Sequence, residues 1–118
     1  MEEDYDRLSV TRTMITMTKK QDKMEGAMAI CWAASQGDIY ELQRLVACGV
    51  NLNDADYDGR TGIHLAASEG HEDTVKFFIN KKVDVNSRDR WGGTPLTDAK
   101  RSNHKKVVEL LEKHGGTL

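Results

Sequence analysis

Ser102-Asn103-His104-Lys105 is the stretch whose residue types and spacing could support covalent catalysis, because it fits the S-x-x-K pattern of a serine nucleophile followed one helical turn later by a lysine. Such a pair works when the serine opens a helix beneath a pocket, so its value depends on the element that carries it. Cys31 and His64 are a second chemically capable pair, since thiolate and imidazole both ligate zinc. Two ligands leave a tetrahedral site half filled, and Cys48 falls on a different predicted helix from Cys31. No catalytic, metal-binding or cofactor-binding set is expected from these residues.

The elements that must position them repeat. Asp56 to His71 reads DYDGRTGIHLAASEGH, and 33 residues on, Asp89 to His104 reads DRWGGTPLTDAKRSNH. Moving 33 residues back gives a degenerate copy ending in AASQGD, Ala33 to Asp38. No insertion or deletion breaks the period: Gly26, Gly59 and Gly92 align, as do Ala33, Ala66 and Ala99, and Leu45, Phe78 and Leu111. A fixed period of this kind marks a stacked array. In register, Ser102 to Lys105 is equivalent to Glu69-Gly70-His71-Glu72, a turn between helices. Hydrolysis of glutamine or asparagine by the chain is therefore not expected.

The 118 residues suit one elongated domain, and with only 6% aromatic residues its core must be built from Ala, Leu and Val. The net charge of -2 hides an asymmetry: residues 1–75 hold 7 basic and 14 acidic groups, residues 76–118 hold 10 and 5, so the halves carry -7 and +5. No aromatic residues interleave the lysines, which favours solvated capping faces over a nucleic-acid surface. Cys31 and Cys48 lie on repeat positions rather than in a spaced framework and are expected to be free thiols of an intracellular protein. No apolar run approaches the roughly 20 residues that span a bilayer, and the acidic MEEDYD lacks the basic start of a secretory signal, so no membrane association is expected.

Residues 1–25 fall outside the period and read as an N-terminal tail or linker, with at most a weak helix over Thr11 to Met24. Residues 26–118 form the array, in units of about 26–58, 59–91 and 92–118. The first holds a helix over about 27–35, a turn at Gln36-Gly37 and a helix over about 39–47. Gly37, Gly70 and Asn103 end the inner helices in a left-handed conformation, as Gly49 and Gly115 end outer ones. Lys82 must adopt that conformation without such help and is expected to be slightly strained. Asp58-Gly59 makes a tight turn, Thr61 caps a helix, and Pro95 sits in a first helical turn where its missing donor is harmless. Ala66-Ala67 let inner helices approach closely, while Val75, Phe77, Phe78 and Ile79 supply an apolar stripe.

The run DGRTGIHLAASEGHEDTVKFFI, continued by VDVN and DRWGGTPL, closely resembles the ankyrin repeat, from Ala27 to about Gly116. The resemblance implies an all-α solenoid of three stacked helix-turn-helix units with short loops. It also implies that His64 hydrogen-bonds the turn around Thr61 and that Asn53 and Asn86 tie the loop backbone. Asn86 is placed where ankyrin asparagines are hydroxylated, although Phe78 stands where that signature prefers Leu. Gly62 stands where the family prefers Pro, Met28-Ala29-Ile30-Cys31 replaces Thr-Pro-Leu-His, and Lys100 replaces the second Ala of the pair. Unit one is thus atypical and unit three reads as the C-terminal cap. More narrowly, Asp56-Tyr57-Asp58, Ala66 to His71, Val75-Lys76-Phe77 and Asp89-Arg90-Trp91 look like the C-terminal ankyrin segment of animal-type glutaminases. Tyr5-Asp6-Arg7-Leu8 resembles the linker after that enzyme's catalytic domain, and Asp-Arg-Trp-Gly is shared with plant integrin-linked-kinase-like ankyrin segments.

The resemblance implies a non-catalytic protein-interaction or assembly module of a glutaminase-like enzyme, cytoplasmic or mitochondrial, with an adaptor segment of a kinase or other signalling protein as the alternative. It implies a protein partner held by loop tips and inner helices, whether another copy or a catalytic domain. The residues free for that contact are Trp32, Tyr57, Asp58, Arg60, Arg90, Trp91 and Arg101, and Tyr, Trp and Arg are types enriched at hot spots. Tyr57, Arg90 and Trp91 are expected to form one patch. Two structural duties compete with binding: Trp32 covering the open N-terminal end, and Trp91 packing across the loop onto Tyr57.

Overall fold

The computed structural model describes residues 23–118. Among them there are six helices and no strand: α1 Lys23–Ser35, α2 Ile39–Ala47, α3 Gly62–Glu69, α4 Glu72–Asn80, α5 Pro95–Arg101 and α6 Lys105–Lys113. They form three antiparallel pairs in which α1, α3 and α5 stack as an inner layer and α2, α4 and α6 back them. The stack is elongated, 45 × 27 × 21 Å. This is the expected all-α solenoid.

Small residues set the spacing of the inner layer. Ala33, Ala34, Ala66, Ala67 and Ala99 are all buried where one inner helix meets the next, with no side chain beyond Cβ to hold the backbones apart. Lys100, the break in the Ala pair, is exposed on the outer face of the last unit and reaches Glu112 at 3.7 Å. Outer-helix residues Leu42, Leu45, Val75, Phe78, Val107 and Leu111 fill the space behind the inner layer.

The helix exits follow the expected chemistry. Gly70 is left-handed (φ +77°), and a Cβ there would lie 2.6 Å from the His104 ring of the next unit. His104 Nε2 reaches the Ser68 carbonyl at 3.0 Å, and His71 Nε2 reaches that of Ser35 at 2.9 Å, so α1 and α3 each have their end tied to the following unit. Asn103 and Lys82 both have φ +64°, the left-handed conformation expected of them. Asn53 Oδ1 accepts from Asp84 N at 2.9 Å and Asn86 Oδ1 from Thr117 N at 2.8 Å, tying successive loops together.

Two features depart from the sequence reading. α1 is already helical at Lys23, the first described residue and inside the stretch taken as tail, and Met24 and Glu25, good helix formers, help carry it through Gly26. Gly26, in register with the turn glycine Gly59, is therefore helical, and unit one has helix where units two and three have a loop tip. The weak helix read over Thr11 to Met24 lies almost wholly outside the described residues. Gly62 is explained by its neighbours: a Cβ there would sit 2.5 Å from Phe78 Cζ and 2.7 Å from Ile30 Cγ2. One large ring in unit two is matched by one missing side chain, whereas unit three holds Pro95 with Leu111 in the corresponding places.

Candidate functional site

Two loop tips of identical design flank the inner face. In unit two, Asp56 Oδ1 accepts from the amides of Asp58 and Arg60, both at 2.9 Å, and Asp56 N and Gly59 N close the turn at 2.9 Å each on Arg60 O and Asp56 O. In unit three, Asp89 Oδ1 accepts from Trp91 N at 3.0 Å and Gly93 N at 2.8 Å. One aspartate per tip thus spends its carboxylate on amides that the sharp turn leaves without backbone partners. The tips are joined to each other: Arg90 N donates to Asp58 O at 2.8 Å, and Arg90 Nη1 lies 3.3 Å from Asp58 Oδ1. Asp58 also faces Arg60 Nη2 at 3.5 Å, so it bridges two arginines.

His64 fixes the base of the tip. Its Nδ1 lies 3.1 Å from Thr61 N and 3.0 Å from Thr61 Oγ1, and its Nε2 lies 3.0 Å from Gly93 O. A backbone amide only donates, so Nδ1 is the acceptor and Nε2 carries the proton to the Gly93 carbonyl. The contact with Thr61 is the one the resemblance implies. The bond to Gly93 is additional and couples unit two to the tip of unit three.

Between the tips and the inner helices α3 and α5 lies a cavity of about 260 Å³, walled by Arg60, His64, Leu65, Ser68, Asp89, Trp91, Gly93, Thr97, Asp98 and Arg101. Asp98 is buried in its wall and its Oδ1 is hydrogen-bonded by Arg101 Nη2. Burial pushes the Asp98 carboxyl above the usual carboxylate range, a rise reinforced by the charge of Asp89 and opposed by the guanidinium groups of Arg101 and Arg60. Arg60 Nε is buried with no hydrogen-bond partner.

His64, Asp89 and Asp98 bring one ligand atom each within 4.8 Å of the others, a metal-like cluster that the sequence reading did not single out. The donor set is already committed: both His64 nitrogens are hydrogen-bonded, Asp89 Oδ1 holds two amides, and Asp98 holds Arg101. These residues fit a structural network better than a metal site. Cys31 lies apart from them, its Sγ 3.4 Å from Arg60 O, and burial, reinforced by Asp56 and opposed by Arg60, pushes its thiol up to about 12. Ser102 caps the end of α5, Asn103 turns the chain, and Lys105 opens α6, so the S-x-x-K match does fall in an interhelical turn.

Of the residues proposed from sequence for partner contact, Arg60, Trp91 and Arg101 meet around this cavity, with Asp58 and Arg90 bonded to one another across the tips. Arg90 stacks its guanidinium over the Trp91 ring, 5.3 Å from the centroid. Tyr57 and Trp91 are both largely exposed. Trp32, also largely exposed, is on α1 and does not line the cavity. Asp98 and His64 were missed as cavity walls. A signal existed for Asp98, which occupies the register position of Trp32 and Leu65, where a carboxylate is out of pattern.

Among the described residues no helix is long and apolar enough to cross a membrane. The sequence model described as ankyrin repeats (3 copies) matches residues 10–117. The chain is 46% identical over 84 residues to the liver isoform of mitochondrial glutaminase from Rattus norvegicus, which is 70% of this chain and 14% of that protein. It is 48% identical over 81 residues to putative glutaminase 2 of Caenorhabditis elegans, 68% of this chain and 13% of the relative. It is 35% identical over 94 residues to serine/threonine-protein kinase 12 of Arabidopsis thaliana, 80% of this chain and 20% of the relative. The aligned segment thus spans a fifth or less of the length of these relatives.

Proposed function

The chain belongs to the ankyrin repeat family, and from that premise we propose that it is a protein-binding or assembly segment, of the kind carried by glutaminase-type enzymes, that performs no catalysis itself. One observation carries the reading. The two loop tips are cross-bonded through Arg90 and Asp58, Tyr57, Arg90 and Trp91 on them are exposed, and Trp91 lines a cavity with Arg60 and Arg101. Rigid, exposed aromatic and guanidinium groups around a concavity offer contact area at little entropic cost. The contact we assign to this surface is with a catalytic domain or a second copy of the array.

Expression of the array with and without an upstream glutaminase catalytic domain tests this. The expected result is that the isolated array turns over no glutamine, while its removal from the fused protein changes assembly state or activity. Identical assembly and activity with and without the array would refute the reading. An adaptor segment of a kinase is the second reading, favoured by the 80% of this chain that aligns with the plant kinase; capture of a kinase domain but not a glutaminase domain would select it.

A further inference from the structure

Formal charges at the tips and cavity nearly cancel, but the atoms presented to solvent do not. In the Arg101–Asp98 pair the arginine side chain is 68% exposed and the aspartate 4%. The corresponding values are 61% and 34% for Arg90–Asp58, and 39% and 12% for Arg60–Asp56. The cause is the local structure. Asp56 and Asp89 are turned inward to hold turn amides, and Asp98 sits in a row of inner-helix positions that face the groove wall, so each carboxylate is spent within the fold. Arg60 and Arg101 lie over Asp56 and Asp98 and keep unused donors outward, and Arg90 is held by Asp58, which is itself partly exposed. Arginine offers five N–H donors, and in each of these pairs only one or two are engaged. Arg60 Nε has none. Glu69, at the end of α3 beyond the cavity, is exposed and marks the edge of this field.

We propose that this surface binds an acidic segment of a partner protein, with Asp or Glu carboxylates taken by Arg90 and Arg101 and an adjacent apolar residue seated against Trp91. The inference rests on reading the chain as a protein-binding module and specifies the chemistry of what it binds. Guanidinium groups that are exposed but held in place by carboxylates of the fold, Arg101 by buried Asp98 and Arg90 by Asp58, are preorganised for bidentate contact with an incoming carboxylate. Asp98 offsets the charge of Arg101 only partly, because a carboxylate turned into the fold is further from the ligand than the guanidinium above it, and Asp58 is shared between Arg90 and Arg60.

The test uses the full chain and a fluorescein-labelled 12-residue peptide that alternates Asp or Glu with Leu, beside the same peptide carrying Asn or Gln. Binding is followed by fluorescence anisotropy, with a single-stranded oligonucleotide of matched charge as a third probe. The acidic peptide should bind at least about tenfold more tightly than its neutral isostere, and should weaken about tenfold between 50 and 500 mM salt. Arg90→Gln and Arg101→Gln should each reduce its affinity about fivefold or more, with helix content unchanged. Should Arg101→Gln fail to fold, through exposing Asp98 unpaired, Arg90→Gln and the salt series still decide. Equal binding of both peptides refutes the charge assignment and leaves the module reading intact. Tighter binding of the oligonucleotide than of the peptide refutes the choice of a protein segment. Binding of neither peptide refutes this inference alone, since coupling to a catalytic domain is measured separately.

Discussion

Gly62→Pro restores the family's preferred residue, and in this chain it should destabilise. The backbone would accept it: Gly62 is the first residue of α3, where a proline's missing donor costs nothing, and Thr61 before it is already extended at φ -98°, ψ 172°. Where a proline fits without strain, the loss of freedom in the unfolded chain stabilises by about 0.4 to 1 kcal/mol. Here the added Cβ would stand 2.5 Å from Phe78 Cζ and 2.7 Å from Ile30 Cγ2. Both are about 1 Å inside a comfortable carbon contact of roughly 3.5 to 4.0 Å. Phe78 is fully buried and packed edge-on against Phe77 at 5.7 Å between centroids, so its ring has no open space to move into. Overpacking of this kind costs about 1 to 3 kcal/mol, which outweighs the entropic gain. In a Phe78→Leu background, which itself costs about 1 kcal/mol, the clash with the ring is relieved while that with Ile30 Cγ2 remains, so Gly62→Pro should cost clearly less than it does alone. The expected coupling between the two sites is about 2 kcal/mol, read from urea midpoints of the wild type, both single variants and the double. Additive effects, or a Gly62→Pro single variant as stable as the wild type, would refute the pairing.

Ala66→Leu places a large side chain where α3 is fully buried against its neighbours, and a loss of about 1 to 3 kcal/mol is expected; an unchanged urea midpoint would count against the stacking. Of the two thiols, exposed Cys48 should react with a disulfide reagent within minutes at neutral pH, while Cys31, buried and with its pKa pushed up to about 12, should react only in denaturant; equal rates would show that α1 opens readily. Because burial raises the Asp98 pKa in the folded state, the folded chain holds its proton more tightly than the unfolded chain. Asp98 therefore adds stability at acid pH that is lost as pH rises through the folded value. The stability of wild type relative to Asp98→Asn should accordingly decline as pH rises above the ordinary Asp value of about 4, and a rise instead would contradict the assignment. Joint replacement of Arg90 and Trp91 by Ala should weaken protein association by about 2 kcal/mol or more without altering helix content; lost stability with intact association would make the tips structural.

The period, the six helices and the left-handed exits at Gly37, Gly70, Lys82 and Asn103 were legible in the sequence, because each depends on local chemistry repeated in strict register. The same register placed Ser102 to Lys105 in a turn and set aside its apparent chemistry. The resemblance also named the exposed Trp32, Tyr57 and Trp91 and the arginines beside them, but not Tyr40, which is more exposed than any of these aromatics. What composition and spacing could not give was direction. Gly62 and Phe78 are sixteen positions apart and each departs from the family pattern alone; only packing shows that one makes room for the other. Likewise every acidic and basic residue of the tips counts equally in a charge sum. The turn amides and the closeness of α3 to α5 decide that Asp56, Asp89 and Asp98 face inward while Arg90 and Arg101 face out. A carboxylate is an acceptor that unpaired backbone amides draw in, and a guanidinium is a donor that resists burial, so tertiary structure gives a polar face to a stretch whose sequence is electrically balanced.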